Sequence, residues 1–153
     1  MTEFESVKNA QRLHHIILAV QRIRRSMTDV TWEAFVVNED KQGNVIRCLE
    51  IIGEAANHVS AEIRDANPDI PWAGIIGMRN NLVHGYNEVN YRLVWRTVQN
   101  DLQVFEDKIP YILENLCLPS DFVPPELPTV ELCSSIVHIV ENAESGGKER
   151  NGR

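Results

Sequence analysis

The sequence predicts an all-α protein: an antiparallel up-and-down bundle of four main helices plus a short one, followed by a C-terminal extension. Three observations lead there. Apolar residues recur every three or four positions through most of the first 116 residues, the period of an amphipathic helix. No segment before residue 117 shows the period-two alternation of a strand. The breaks between helical stretches are short, which favours antiparallel neighbours. At 153 residues, with 43% hydrophobic and 24% charged residues, the chain has the make-up of one soluble domain with one core.

The first helix covers residues 4–25, with Val7, Ala10, Leu13, Ile17, Val20 and Ile23 on its apolar face. Ser26-Met27-Thr28-Asp29 ends it with capping-type residues, and a short helical turn follows over Trp32 to Val37. Asn38 is placed to cap a longer helix running from about Glu39 to Ala66. Its stripe of Val45, Leu49, Ile52, Ala56, Val59 and Ile63 has the 3.5-residue spacing of side-by-side helix packing. Gly43 and Gly53 interrupt that helix, each at a cost of roughly 1 kcal/mol against Ala, and Gly53 is a candidate for a close helix approach. Asn67-Pro68-Asp69-Ile70-Pro71 forms a stop and restart. A third helix starts near Trp72, holds Trp72, Ile75, Ile76 and Leu82 against the core, and ends around His84-Gly85. The last long helix covers about Asn90 to Leu116, with Tyr91, Val94, Trp95, Val98, Leu102, Phe105, Ile109, Ile112 and Leu116 in register and a kink or break expected at Pro110. Tyr91 and Trp95 share this apolar register and read as packing residues.

These elements define a helical domain over residues 1–117. Residues 118–129 form a proline-rich extended linker with Pro119, Pro124, Pro125 and Pro128, and residues 130–153 form an extension. In the extension, Val130 to Val140 fits either a helix or a strand, and Glu144 to Arg153 reads as a disordered end.

Composition excludes several functions. Fifteen Lys and Arg against 22 Asp and Glu give a net charge of −7, which rules out indiscriminate coating of nucleic acid. The charge is unevenly spread: residues 72–98 carry Arg79, Arg92 and Arg96 against Glu88, and residues 1–30 carry Lys8, Arg12, Arg22, Arg24 and Arg25 against three acids. One cationic cleft on an otherwise acidic bundle fits these numbers. Neither a signal peptide nor a membrane span is expected. Cys48, Cys117 and Cys133, odd in number and widely spaced, suit a reducing cytoplasm better than a disulfide framework or a metal site. His14 and His15 point to different faces of the first helix without matching ligands, and His58 and His138 stand in no visible constellation, so no metal and no cofactor is expected.

The phosphate-binding loop, the dinucleotide fingerprint, the His-Glu-x-x-His zinc helix and the Gly-x-Ser-x-Gly elbow are all missing. What stands out is Arg79-Asn80-Asn81-Leu82-Val83-His84-Gly85-Tyr86, which gathers an arginine, two amides, a histidine and a tyrosine within eight positions. RNA cleavage without a metal needs a base for the 2′-hydroxyl proton, an acid for the departing 5′-oxygen and a cation for the charge growing on the phosphoryl oxygens. Histidine moves protons near neutral pH, and the arginine fork matches phosphate oxygens. Asn80 can orient the imidazole or a non-bridging oxygen, and Tyr86 can stack on a base or bind a phosphate. The same residues also suit plain helix-end packing and carbonyl capping. On a straight helix His84 is turned roughly 140° from Arg79, so one helix cannot aim both at a single point. Convergence needs a loosening at Gly85 or a second copy of the chain. Glu54, on the neighbouring helix, can pair with Arg79, steer His84 or simply face solvent.

Arg79-Asn80-x-x-x-His84-x-Tyr86 resembles the Arg-x4-His-x-Tyr motif of the HepT-like toxins, a branch of the HEPN domain superfamily. Leu49-Glu50-Ile51-Ile52-Gly53-Glu54-Ala55-Ala56 is similar to that family's Ile-Gly-Glu-Ala segment, Pro71-Trp72 to its helix start and Tyr91-x-x-Val94-Trp95 to the opening of its last long helix. The resemblance spans roughly residues 5–116. It implies a homodimeric helical bundle whose two motifs face each other across a cleft and cleave RNA, tRNA or mRNA, without a metal. Arg79 and His84 then form the catalytic pair, with Asn80 orienting them; Glu54 is a supporting candidate on its position beside the motif alone. Tyr86 is then the tyrosine that an MntA-type minimal nucleotidyltransferase antitoxin adenylylates to silence the toxin, since an added AMP puts charge and bulk in the cleft. The alternative is a non-catalytic HEPN dimer that binds nucleotide or RNA, or scaffolds the nucleotidyltransferase. The extension departs from the family pattern; covering a dimer seam, docking the antitoxin and having no role are all open to it.

Overall fold

A computed structural model describes residues 1–84 and 88–127. Tyr86, Gly85 and the whole Val130–Val140 segment therefore lie outside the described residues, as does the end from Glu144. Seven helices and no strand are present among the described residues: α1 (Glu3–Met27), α2 (Trp32–Val36), α3 (Glu39–His58), α4 (Ala61–Ala66), α5 (Trp72–His84), α6 (Tyr91–Asn100) and α7 (Gln103–Glu114). No described helix is long and apolar enough to cross a membrane.

Local chemistry sets the boundaries. Thr2 and Glu5 form a reciprocal capping box at the start of α1. Asp29, at φ 56°, turns the chain out of it in the left-handed region. Asn38 caps α3 as its sequence position predicts, its side chain accepting from the Lys41 amide at 2.9 Å. Asn90 caps α6 through the Leu93 amide at 3.0 Å. Between α4 and α5, the indole of Trp72 donates to the Asn67 carbonyl at 3.0 Å and fastens the proline turn.

Two predicted long helices are each divided. The helix expected over Glu39 to Ala66 stops at His58 and restarts at Ala61. The cause is distant in sequence: Asn9 of α1, 1% exposed, accepts from the Ser60 amide at 2.9 Å and donates to the Ser60 hydroxyl at 3.2 Å. The stripe nevertheless continues across the break, because Val59 and Ile63 are both buried. The helix expected over Asn90 to Leu116 breaks at Asp101-Leu102, not at Pro110. Arg24 takes the Val98 carbonyl at 3.1 Å and the Glu106 carboxylate at 3.0 Å, bridging the two pieces from outside. Pro110 sits on the exposed side of an unbroken α7.

In the core, α1 packs on α3 and α3 on α5, with α7 closing over α1. α1 and α3 are antiparallel: Lys41 at the start of α3 reaches the Ser26 carbonyl at the end of α1, while Arg12 in the first half of α1 donates to the His58 carbonyl at the end of α3. Leu13, Ile16, Val20 and Ile23 meet Val45, Leu49, Ile52, Phe105 and Ile109, all at 0% exposure. In two places the face is turned by one or two positions from the prediction, with Ile16 buried where Ile17 was expected and Met78 where Ile76 was. Tyr91 and Trp95 pack with Trp32 and Phe35 in an aromatic cluster whose ring centroids lie 5.5–6.3 Å apart. After α7, the described part of the proline-rich segment lies back on the bundle: Phe122 stacks on His14 at 5.9 Å, and Leu127 packs against the core.

Candidate functional site

The position of Arg79 is set by a missing side chain. A Cβ built on Gly53 of α3 would lie 2.2 Å from the Arg79 Cβ and 2.9 Å from the Ile75 carbonyl oxygen. Only glycine lets α5 come this near, and the close approach puts Arg79 beside the next residue of α3. Arg79 Nη2 meets Glu54 Oε2 at 2.7 Å, and Nη1 donates to Asn80 Oδ1 at 3.0 Å. The guanidinium is thus held from two sides, with its side chain 29% exposed and N–H donors left over for a ligand. Gly43, the other glycine of α3, has nothing within 4 Å of an added Cβ.

Arg79 opens into a cleft of about 430 Å³ between α1, α3 and α5, lined by Arg12, His15, Arg47, Glu54 and His58 among others. Glu54 is the hub: its carboxylate holds Arg79, and His58 Nδ1 lies 3.5 Å from Glu54 Oε1 and 2.9 Å from the Glu54 carbonyl oxygen. Of the roles open to Glu54 in the sequence, the structure displays the pairing with Arg79.

His84 lies on the other side of α5. It lines a second cleft of about 420 Å³, shared with Asn80, Glu88, Asn90 and Val94, between α5 and the start of α6. The helix runs straight through to His84, so the 140° separation expected from the sequence persists. Within one chain Arg79 and His84 do not share a cleft. Asn80 bridges the two sides, lining the His84 cleft while its side-chain oxygen holds Arg79. Among the described residues no three His, Cys, Asp or Glu side chains gather as a metal site. Cys48 is buried in the core, which pushes its thiol pKa up, and so is a packing residue.

The family model for ribonuclease HepT-like proteins matches residues 16–112, from within α1 to within α7, and so includes Arg79, Asn80, His84 and Glu54. The chain belongs to the HepT-like family. It is 34% identical over 96 residues to a protein of Thermococcus cleftensis named "probable ribonuclease HepT", covering 63% of this chain and 87% of that one. A protein of Caldanaerobacter subterraneus subsp. tengcongensis named "putative RNase" is 33% identical over 102 residues, 67% of this chain and 91% of that one. A Methanocaldococcus jannaschii protein of the same designation is 34% identical over 104 residues, 68% of this chain and 90% of that one. No solved structure gives a significant match. All three relatives are covered over most of their length, and residues 1–15 and 113–153 of this chain lie outside the region that the family model matches.

The sequence did not single out Arg12, His15, Arg47 or His58 as neighbours of Arg79. Arg12 and His15 come from a helix more than 60 residues away, and their only local signal is the run of cations on the first helix.

Proposed function

We propose that this HepT-like chain is a metal-independent endoribonuclease, working as a pair of copies and serving as the toxin of a HepT/MntA-type module. The observation that carries the reading is the preset Arg79: a guanidinium fixed by Glu54 and Asn80, on the same short helix as an exposed histidine that looks the other way. In a site made by two facing motifs, one His84 removes the 2′-hydroxyl proton as the 2′-oxygen attacks phosphorus. The other His84 protonates the 5′-oxygen as its bond to phosphorus breaks. The products are a 2′,3′-cyclic phosphate and a 5′-hydroxyl. Arg79 binds the non-bridging oxygens, whose charge grows at the transition state, and Asn80 keeps Arg79 aimed. The separation of Arg79 and His84 within one chain favours a site completed by a second copy. Tyr86, two residues past His84, is the position for AMP transfer from a nucleotidyltransferase antitoxin.

The test is total RNA incubated in EDTA with purified, unmodified protein. Cleavage leaving cyclic phosphate ends is expected, and it is lost in Arg79→Ala and His84→Ala variants that keep their helical content. Cleavage that survives both substitutions contradicts the assignment, and its absence from the parent protein favours the non-catalytic alternative. After co-expression with the antitoxin, intact mass should show an AMP adduct that Tyr86→Phe abolishes.

A further inference from the structure

From Ser6 to Met27, α1 carries no acidic residue at all, yet it holds Lys8, Arg12, Arg22, Arg24 and Arg25 in a chain whose net charge is −7. Arg24 is satisfied by Glu106. Among the described residues no carboxylate lies within salt-bridge distance of Arg12, Arg22 or Arg25. Helical geometry puts Arg12, His15 and Arg22 within about 80° of one another on the helix surface, with Arg25 a further 60° or so round. From Arg12 to Arg25 this face runs about 20 Å. Arg47 of α3 joins it, half exposed and only loosely paired with Glu50 at 3.5 Å. The buried Cys48 lies within electrostatic reach of Arg22, Arg47 and Arg25 together. Arg12, His15 and Arg47 also line the Arg79 cleft, so the cationic face and the cleft are continuous. Of the carboxylates in that cleft, Glu54 is engaged with Arg79 and His58, and Glu50 lies 3.5 Å from Arg47.

So many like charges on one face repel each other unless an anion lies across them. We propose that this face of α1 and α3, through Arg12, Arg22, Arg25 and Arg47, is a track for the sugar–phosphate backbone of single-stranded RNA leading to Arg79. A polyanion with regularly spaced charges suits a line of guanidiniums about 20 Å long, whereas a mononucleotide would leave most of them unmatched. The track rests on the ribonuclease reading for the identity of its ligand, but it binds away from the reacting atoms. It reads charge and not sequence, so it sets affinity and substrate length while the motif sets the chemistry.

The experiment measures binding of a single-stranded 2′-O-methyl oligoribonucleotide, which lacks the proton that cleavage removes, to the full chain over a range of salt. The protein is the parent or an Arg22→Gln/Arg25→Gln/Arg47→Gln variant, each checked for helical content and melting. Each lost phosphate contact on a single strand lowers the salt slope by about 0.7, so the triple variant should lose about 2 from the slope. Lys at the same three positions should restore most of it, because the backbone is read as charge. An unchanged slope in the glutamine variant overturns the track even if RNA is still cleaved. An unchanged slope together with altered assembly size in light scattering assigns the face to contact between copies and likewise overturns it. A parent that binds with the steep slope but never cleaves natural RNA refutes the ribonuclease reading and leaves the track standing.

Discussion

On one flank of α5, Arg79 leans against α3 across a glycine and is held by Glu54 and Asn80. On the other flank, His84 faces an open cleft toward the start of α6 and is exposed. The arginine side is preorganised by packing, and the histidine side is left accessible. The contrast matches the chemistry that the proposed roles require of each. A cation that stabilises a transition state works best when its orientation is fixed beforehand, whereas a proton carrier must be reached by substrate and, in the proposed site, by a second copy.

Substitutions that disturb only one flank sharpen this contrast. The largest effect is expected from Gly53→Ala. The new methyl would lie 2.2 Å from the Arg79 Cβ, so α3 and α5 must separate, at about 1–3 kcal/mol of stability. Urea unfolding should show the loss, and RNA cleavage should fall with it, because Arg79 moves away from Glu54. Gly43→Ala, on the same helix but with open space around it, is the control of opposite sign. It should stabilise by roughly 0.5–1 kcal/mol through helix propensity alone and leave cleavage unchanged. If the two alanines behave alike, Gly53 does not set the arginine flank.

A smaller effect is expected at His14, away from both clefts. Burial lowers its pKa, and the charge of His15 adds to the lowering. The unfolded chain therefore takes up the proton first as pH falls. The stability tied to neutral His14 is fully present above about pH 6.5 and is lost progressively below it. Between about pH 7.5 and pH 5.5, the parent should lose more melting temperature than His14→Gln. An equal loss in the two proteins would mean that the Phe122 stack does not shield His14.

Much of the fold is legible in the sequence because apolar spacing and caps are local. The stripe from Val45 to Ile63, the Asn38 cap, the stop at Asn67–Pro71 and the all-helical class all follow from residues close together in the chain. The two misplaced breaks have non-local causes. Asn9 reaches across 51 positions to end α3, and Arg24 reaches across 74 to hold the end of α6. No periodicity in the segments they act on records either contact. At the site, the motif and its angular separation are visible in the sequence, and so is Gly53 as a point of close approach. The grouping of Arg12, His15, Arg47 and His58 around Arg79 depends on antiparallel packing of α1 on α3, which becomes visible only once the helices are assembled.

In the proposed site, catalysis needs the histidines of two copies acting on one phosphate. The direct measurement mixes parent protein with His84→Ala in varying proportion, lets the copies exchange, and records RNA cleavage per total protein. If both histidines are required, cleavage falls as the square of the parent fraction. If cleavage falls in simple proportion to that fraction, one histidine suffices for each cleavage and the two-histidine mechanism is wrong.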